Sequence, residues 1–132
     1  MKPDTHLAID HTLCGLPTAL APGRATVALV ATEAMAADER GLVHGGFVFG
    51  AADYAAMLAV NDPNVVLGAA ETRFLLPVVV GQRVELEAQV TEEKGKKRVV
   101  RVTARRAGDA VFEGTFTCFV LPRHVLAPEG EP

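Results

Sequence analysis

The chain has 132 residues, 49% of them apolar and 22% charged, with a net charge of −3. That length suits one domain able to bury a core without staples. The acidic balance argues against general nucleic-acid binding, which requires a basic footprint, and with no Trp and 5% aromatic residues there is no stacking platform for bases.

Cys14 and Cys118 have neither metal-ligand spacing nor the pattern of a disulfide framework, so no metal site is expected. The first twenty residues carry Asp4, His6, Asp10 and His11 in place of the apolar run of a secretion signal. The longest apolar stretch, Gly45 to Val60, is 16 residues long and contains Asp53. That is short of the roughly 20 residues a membrane-spanning helix needs. A cytoplasmic protein with no membrane span is the expectation.

Up to about Leu20 the pattern reads as a loop with a short helical turn. Ala25 to Thr32, rich in Val and Ala after Pro22-Gly23, predicts a first strand. The polar run Asp38-Glu39-Arg40 then leads into an apolar helix predicted over Gly41 to Val60 and entered through His44-Gly45-Gly46. Pro63 ends it by disfavouring helical geometry at Asp62.

Beyond this point the period changes. Val65 to Leu76 predicts a strand stopped by Pro77. In Gln82 to Val90, Val84, Leu86, Ala88 and Val90 face one way and the polar residues face the other. Glu93 to Lys96 reads as a hairpin turn, and Arg98 to Arg106 puts Val100, Val102 and Ala104 inward. Gly108-Asp109 is the next turn, and Ala110 to Leu121 the last strand, with Phe112, Phe116 and Cys118 on one face. Residues 122 to 132 read as a flexible tail. The sum is an α+β domain over 1–132, its core at about 25–121: one strand, one buried helix, then four strands in a meander. A helix apolar all round must be wrapped, and a curved antiparallel sheet can do this.

Asp53 is the single charge in the helix, among Phe47, Phe49, Met57 and Leu58. Either it reaches solvent or an Arg, or it does chemistry. His44-Gly45-Gly46 permits close backbone approach at a helix N-terminus, where free amides attract a negative oxygen. It serves either as an oxyanion hole or simply as tight packing at the entry, with His44 an entry residue or a base.

This spacing, Gly41-Leu42-Val43-His44-Gly45-Gly46-Phe47 followed by Ala52-Asp53, resembles the hotdog-fold acyl-CoA thioesterases, nearest the phenylacetyl-CoA thioesterase type. Arg73-Phe74-Leu75-Leu76-Pro77 with Gly81, and Gly95-Lys96-Lys97-Arg98, are similar to later features of that family. The resemblance implies a central helix wrapped by the sheet, acyl-CoA as ligand and thioester hydrolysis. It implies Asp53 as nucleophile or general base and the Gly45 amide as the group polarising the carbonyl, with Gly46 and Phe47 beside the substrate. CoA enters as part of the substrate, with no other cofactor. Asp38 departs from the pattern, since Asn is usual there, and an acid at that site would raise the pKa of a neighbouring carboxylate.

Gly45 and Asp53 are eight residues apart, about 12 Å along one helix. Both can serve one carbonyl only if two copies of the helix meet, which implies a homodimer, or a dimer of such dimers. Seven of the thirteen basic residues lie between Lys94 and Arg106. They form either a solvated rim balanced by Glu85, Glu87, Glu92 and Glu93, or a contact for CoA phosphates through Lys96, Lys97 and Arg98. A non-catalytic acyl-CoA-binding protein of the same fold is the competing function. A hydratase or dehydratase fits less well, because the Asn between acid and His and the Pro after the His are both missing.

Overall fold

The computed structural model describes residues 1–128. Six antiparallel strands and one long helix follow a short helical turn, α1 (His11–Cys14). The strands are β1 (Leu16–Ala21), β2 (Arg24–Val30), β3 (Val65–Phe74), β4 (Arg83–Lys94), β5 (Lys97–Arg106) and β6 (Asp109–Val120), and the helix is α2 (Gly45–Val60). They form one sheet in the order β1-β2-β4-β5-β6-β3, wrapped around α2. This is the hotdog arrangement that the resemblance implied.

The alternation in the sequence translates directly into this packing. Across the sheet Val27 pairs with Leu86, Leu86 with Ala104, Ala104 with Phe112, and Phe112 with Phe74. The first four of this row are buried beneath the helix, while Phe74, on an edge strand, is 57% exposed. Val84, Val100, Val102, Phe116 and Cys118 complete the inner face as the period-two reading predicts.

Three expectations are corrected. The helix begins at Gly45 rather than Gly41, because residues 41–43 form bridges with neighbouring segments instead (Ala36 with Val43, Leu42 with Val79). The stretch before Leu20 contains β1, an edge strand joined to β2 by a turn at Pro22-Gly23, with Gly23 at φ 74°. Its signal is weak because Pro17 interrupts it and its side chains are mostly exposed, both tolerated on an edge. The last four strands are not one meander either: β4, β5 and β6 are consecutive neighbours, but β3 pairs with β6 at the far edge. Residues 75–82 carry the chain from one side of the sheet to the other. Val43 N–H donates to Val78 O at 2.8 Å and Val80 N–H to Gly41 O at 2.9 Å, so this crossover pins the helix entry.

At its other end the helix stops at Asn61, in the left-handed conformation at φ 52°, whose N–H donates to Met57 O. The N-terminal segment is stapled there. Asp4 N–H donates to Asn61 Oδ1 at 2.7 Å, and Asn61 Nδ2 donates to Lys2 O at 3.1 Å. Of the expected tail, His124 and Ala127 close a turn by a backbone hydrogen bond of 2.9 Å, and residues 129–132 lie outside the described residues. Among the described residues no helix is long and apolar enough to cross a membrane.

Gly15, which feeds β1, has φ 92°, and a Cβ there would lie 2.5 Å from Val27 Cγ1 and 3.0 Å from Ala28 O. Gly15→Ala combines backbone strain with a clash against the core, and should lower unfolding stability by about 2 kcal/mol. Urea denaturation checks this, and unchanged stability would contradict the placement of β1.

Candidate active site

The helix entry is built by hydrogen bonds that begin outside the helix. His44 N–H donates to Met35 O at 2.9 Å, which fixes the residue preceding the first turn. His44 then acts as N-cap: its Nδ1 accepts from Gly46 N–H at 2.9 Å. The imidazole thus uses one nitrogen to close the helix, a capping role normally filled by Ser, Thr, Asp or Asn. A Cβ on Gly46 would meet that ring at 2.8 Å, and a Cβ on Gly45 would lie 3.0 Å from the Phe74 ring. A side chain at either position would therefore have to displace one of these rings. Gly45 N–H, at the first helical position, has no acceptor among the described residues. It carries the partial positive charge of a helix N-terminus.

Gly45 lines a cavity of about 380 Å³. Val43, Gly45 and Val48 form its helix side. The end of β3 and the crossover supply Phe74, Leu75, Leu76, Pro77 and Val78, and β6 supplies Val111. The crossover wall is braced from outside, where the Arg106 guanidinium donates to Pro77 O and to Gln82 Oε1. The sequence reading missed these residues. Their signal was an apolar run, Phe74-Leu75-Leu76, that breaks the alternation just where the strand ends.

Asp53 lies on α2 about two turns further on and is partly buried, without an Arg or Lys partner among the described residues. Burial pushes its carboxyl above the ordinary value of 3.8. Asp53 also faces the two free thiols. Cys118 is pushed up to about 12, by burial first and the carboxylate second. Cys14 is raised by burial, then by Asp10 and Asp53. A raised thiol is a poor nucleophile at neutral pH.

The other predicted residues fall in different places. Asp38 is exposed, and its Oδ1 accepts from the amides of Arg40 at 3.0 Å and Leu42 at 3.1 Å, so it shapes the loop ahead of the helix. The rise of the Asp53 pKa comes from burial alone, so the expected coupling to Asp38 is absent within one chain. Phe47 is partly buried, with its ring edge-on to His44 at 6.2 Å.

Met57 and Leu58, the apolar neighbours of Asp53 on the helix, are 1% and 0% exposed, and Phe49 packs on Phe116 at 5.6 Å. They are core rather than pocket. Lys96 lies in the β4–β5 turn, with Lys97 and Arg98 beginning β5. Lys97 pairs with Phe119 and Val120 with Val65, which puts this hairpin at the start of β3, whereas Gly45 touches its end. One chain therefore does not bring these cations to the Gly45 amide. Arg98 is further occupied by Glu93 at 3.0 Å and by the carbonyls of Gly95 and Lys97.

A sequence model of the thioesterase superfamily matches residues 40–113. The chain is 53% identical over 118 residues to the methylthioribose-1-phosphate isomerase of Aquifex aeolicus, a match that covers 89% of this chain and 26% of that protein. It thus spans about a quarter of that relative's length. The solved structure of an uncharacterized protein from Pyrococcus horikoshii superposes with a TM-score of 0.95 at 49% identity, covering 96% of this chain and 98% of that one. A mutant of the phenylacetic acid degradation protein PaaI from Thermus thermophilus superposes with a TM-score of 0.76 at 32% identity, covering 83% and 95%.

Because folding raises the Asp53 pKa, the folded state favours the neutral carboxyl. The resulting penalty is absent below 3.8, grows as pH rises through the window up to the raised value, and stays constant above it. Asp53→Asn should therefore melt at a higher temperature than the wild type at pH 7. The gap should close as pH is lowered towards 3.8. Thermal scans across pH check this, and a wild type that melts higher at pH 7 would contradict it.

Proposed function

This chain belongs to the thioesterase superfamily, and we propose that it hydrolyses acyl-CoA thioesters to the free acid and CoA, as a homodimer whose sites are shared between two helices. The observation that carries the reading is one helix whose first residue, with a free amide, lines an apolar cavity and which bears, two turns on, a single partly buried carboxylate.

Thioester hydrolysis needs a donor for the oxygen that becomes negative and a group that delivers the attack. The Gly45 amide suits the first need, being free, held rigidly by the His44 cap and aligned with the helix dipole. Asp53 suits the second. As a general base it takes a proton from the water that attacks the carbonyl carbon. The C–S bond then breaks, and CoA leaves as a thiolate that takes up a proton. As a nucleophile it attacks the carbonyl carbon, and the C–S bond breaks with CoA leaving as the thiolate. Water then opens the resulting mixed anhydride to the free acid and Asp53. Burial makes it a stronger base than an ordinary carboxylate, which favours either role. CoA enters only as part of the substrate, and the chemistry uses the chain's own groups.

The eight-residue separation, about 12 Å, keeps the two groups from one carbonyl within a single chain. A second copy of α2 supplies the missing partner. In such a dimer Lys96 and Lys97 of one protomer are the cations left to serve the CoA phosphates at its partner's site, Arg98 being held by Glu93.

Binding without cleavage is the second reading, and one observation favours it. Asp38 presents an acceptor where the resembling thioesterases carry an amide. Asn would keep the oxygen that holds Arg40 and Leu42 and replace only the second oxygen by a donor. If the second atom assists turnover, Asp38→Asn raises kcat about ten-fold or more with the melting temperature unchanged. No gain would remove Asp38 from the site.

The decisive measurement is thiol release from short, long and aromatic acyl-CoAs. Turnover is expected, and Asp53→Asn should lower kcat about 1,000-fold while leaving binding largely intact. No turnover on any of these substrates would sink the hydrolytic reading.

A further inference from the structure

We infer that the cavity at the helix entry is the acyl pocket, that it takes an unsubstituted aliphatic or aryl acyl group, and that Phe74 sets how long that group can be. The inference rests on the reading of Gly45 as the amide that receives the thioester carbonyl. Gly45 is part of the cavity wall, so a carbonyl held at its amide sets the acyl group at this cavity.

The volume, about 380 Å³, is at the low end of the roughly 300–1,000 Å³ spanned by small-molecule pockets. It suits the acyl group and leaves the nucleotide outside. The chemistry of the wall is equally selective. Every lining side chain is apolar. The amides of Leu75 and Leu76 both donate to Val111 O, and the Val43 amide donates to Val78 O. These donors are spent on holding the wall together. An acyl group ending in a carboxylate would exchange water for a wall on which this protomer offers it no compensating side chain.

Phe74 holds a particular place in this wall. It ends β3, its ring lies against Gly45 and meets Phe112 edge-on at 5.1 Å, and more than half of it is exposed. Its side chain can therefore change size without emptying the core, and doing so moves the boundary next to the reacting carbon.

The test measures kcat/KM on straight-chain acyl-CoAs from acetyl upwards, with succinyl-CoA and phenylacetyl-CoA, for the wild type, Phe74→Ala and Phe74→Trp. Equilibrium binding of the matching S-alkyl-CoA thioethers, which cannot be hydrolysed, is measured alongside. For the wild type, kcat/KM should rise roughly four-fold per methylene until the pocket is full. Succinyl-CoA should react at least about 100-fold more slowly than hexanoyl-CoA. Phe74→Ala should move the optimum to longer chains and Phe74→Trp to shorter ones, with the thioethers following the same order. Turnover or binding with a length profile unchanged in both variants would overturn the inference, as would succinyl-CoA reacting within ten-fold of hexanoyl-CoA. Length-dependent thioether binding that follows Phe74, without turnover on any substrate, would uphold the pocket and refute hydrolysis.

Discussion

The structure depends on covering an Ala-rich helix that has almost no polar surface of its own. Ala51, Ala52, Ala55, Ala56 and Ala59 are all essentially buried. Their small side chains let the backbone of α2 lie close to the sheet, where the larger partners, Leu86, Val102 and Phe112, fill the space from the other side. Each alanine contributes little apolar area, so stability comes from the number of strands that converge on the helix. Curvature of the sheet follows from that requirement, because a flat sheet would reach only one stripe of the helix.

The candidate site lies where this coverage ends. The sheet protects most of the helix, but at the entry the wall passes from strands to the crossover 75–82, and a cavity remains between the two. Asp53 marks the second gap, a position on the helix that the sheet of its own chain leaves partly open. A carboxylate can stand there at a cost in stability, whereas two residues away among the fully buried alanines it could not. Site and core are thus two parts of one packing problem.

Much of this was legible in the sequence because period-two alternation reports directly which face of a strand is covered. Val84-Leu86-Ala88 and Val100-Val102-Ala104 could be assigned inward from pattern alone. The His44-Gly45-Gly46 entry was visible as an irregular, glycine-rich start to an apolar run. What could not be read were facts fixed by distant partners. Pairing of β3 with β6 instead of β4 depends on where the crossover runs, and no local pattern encodes that. Edge strand β1 buries too little to leave a period. An apolar side chain gives no sign of whether it faces a core or a cavity: Phe49 and Leu58 pack internally, while Phe74 and Leu75 line empty space. Asp38 matched a site position by spacing, yet its observed hydrogen bonds are those of a loop cap.

The two ends of α2 are held by different means. The C-terminal end is capped by Asn61 in the left-handed conformation, and the same side chain clasps the N-terminal segment through Asp4 and Lys2. The rings of His6 and His11 then flank Tyr54, whose own side chain is buried. Chain distant in sequence is fixed here by directional bonds. The Gly45 end is held mainly by backbone hydrogen bonds to the crossover, over an apolar cavity. Contacts around a cavity are fewer and weaker than those in a filled core, so the geometry of this end rests on those directional bonds. The Gly45 end is thus fixed by the His44 cap and the crossover bonds, while the clasp at the other end keeps the register of α2 against the sheet.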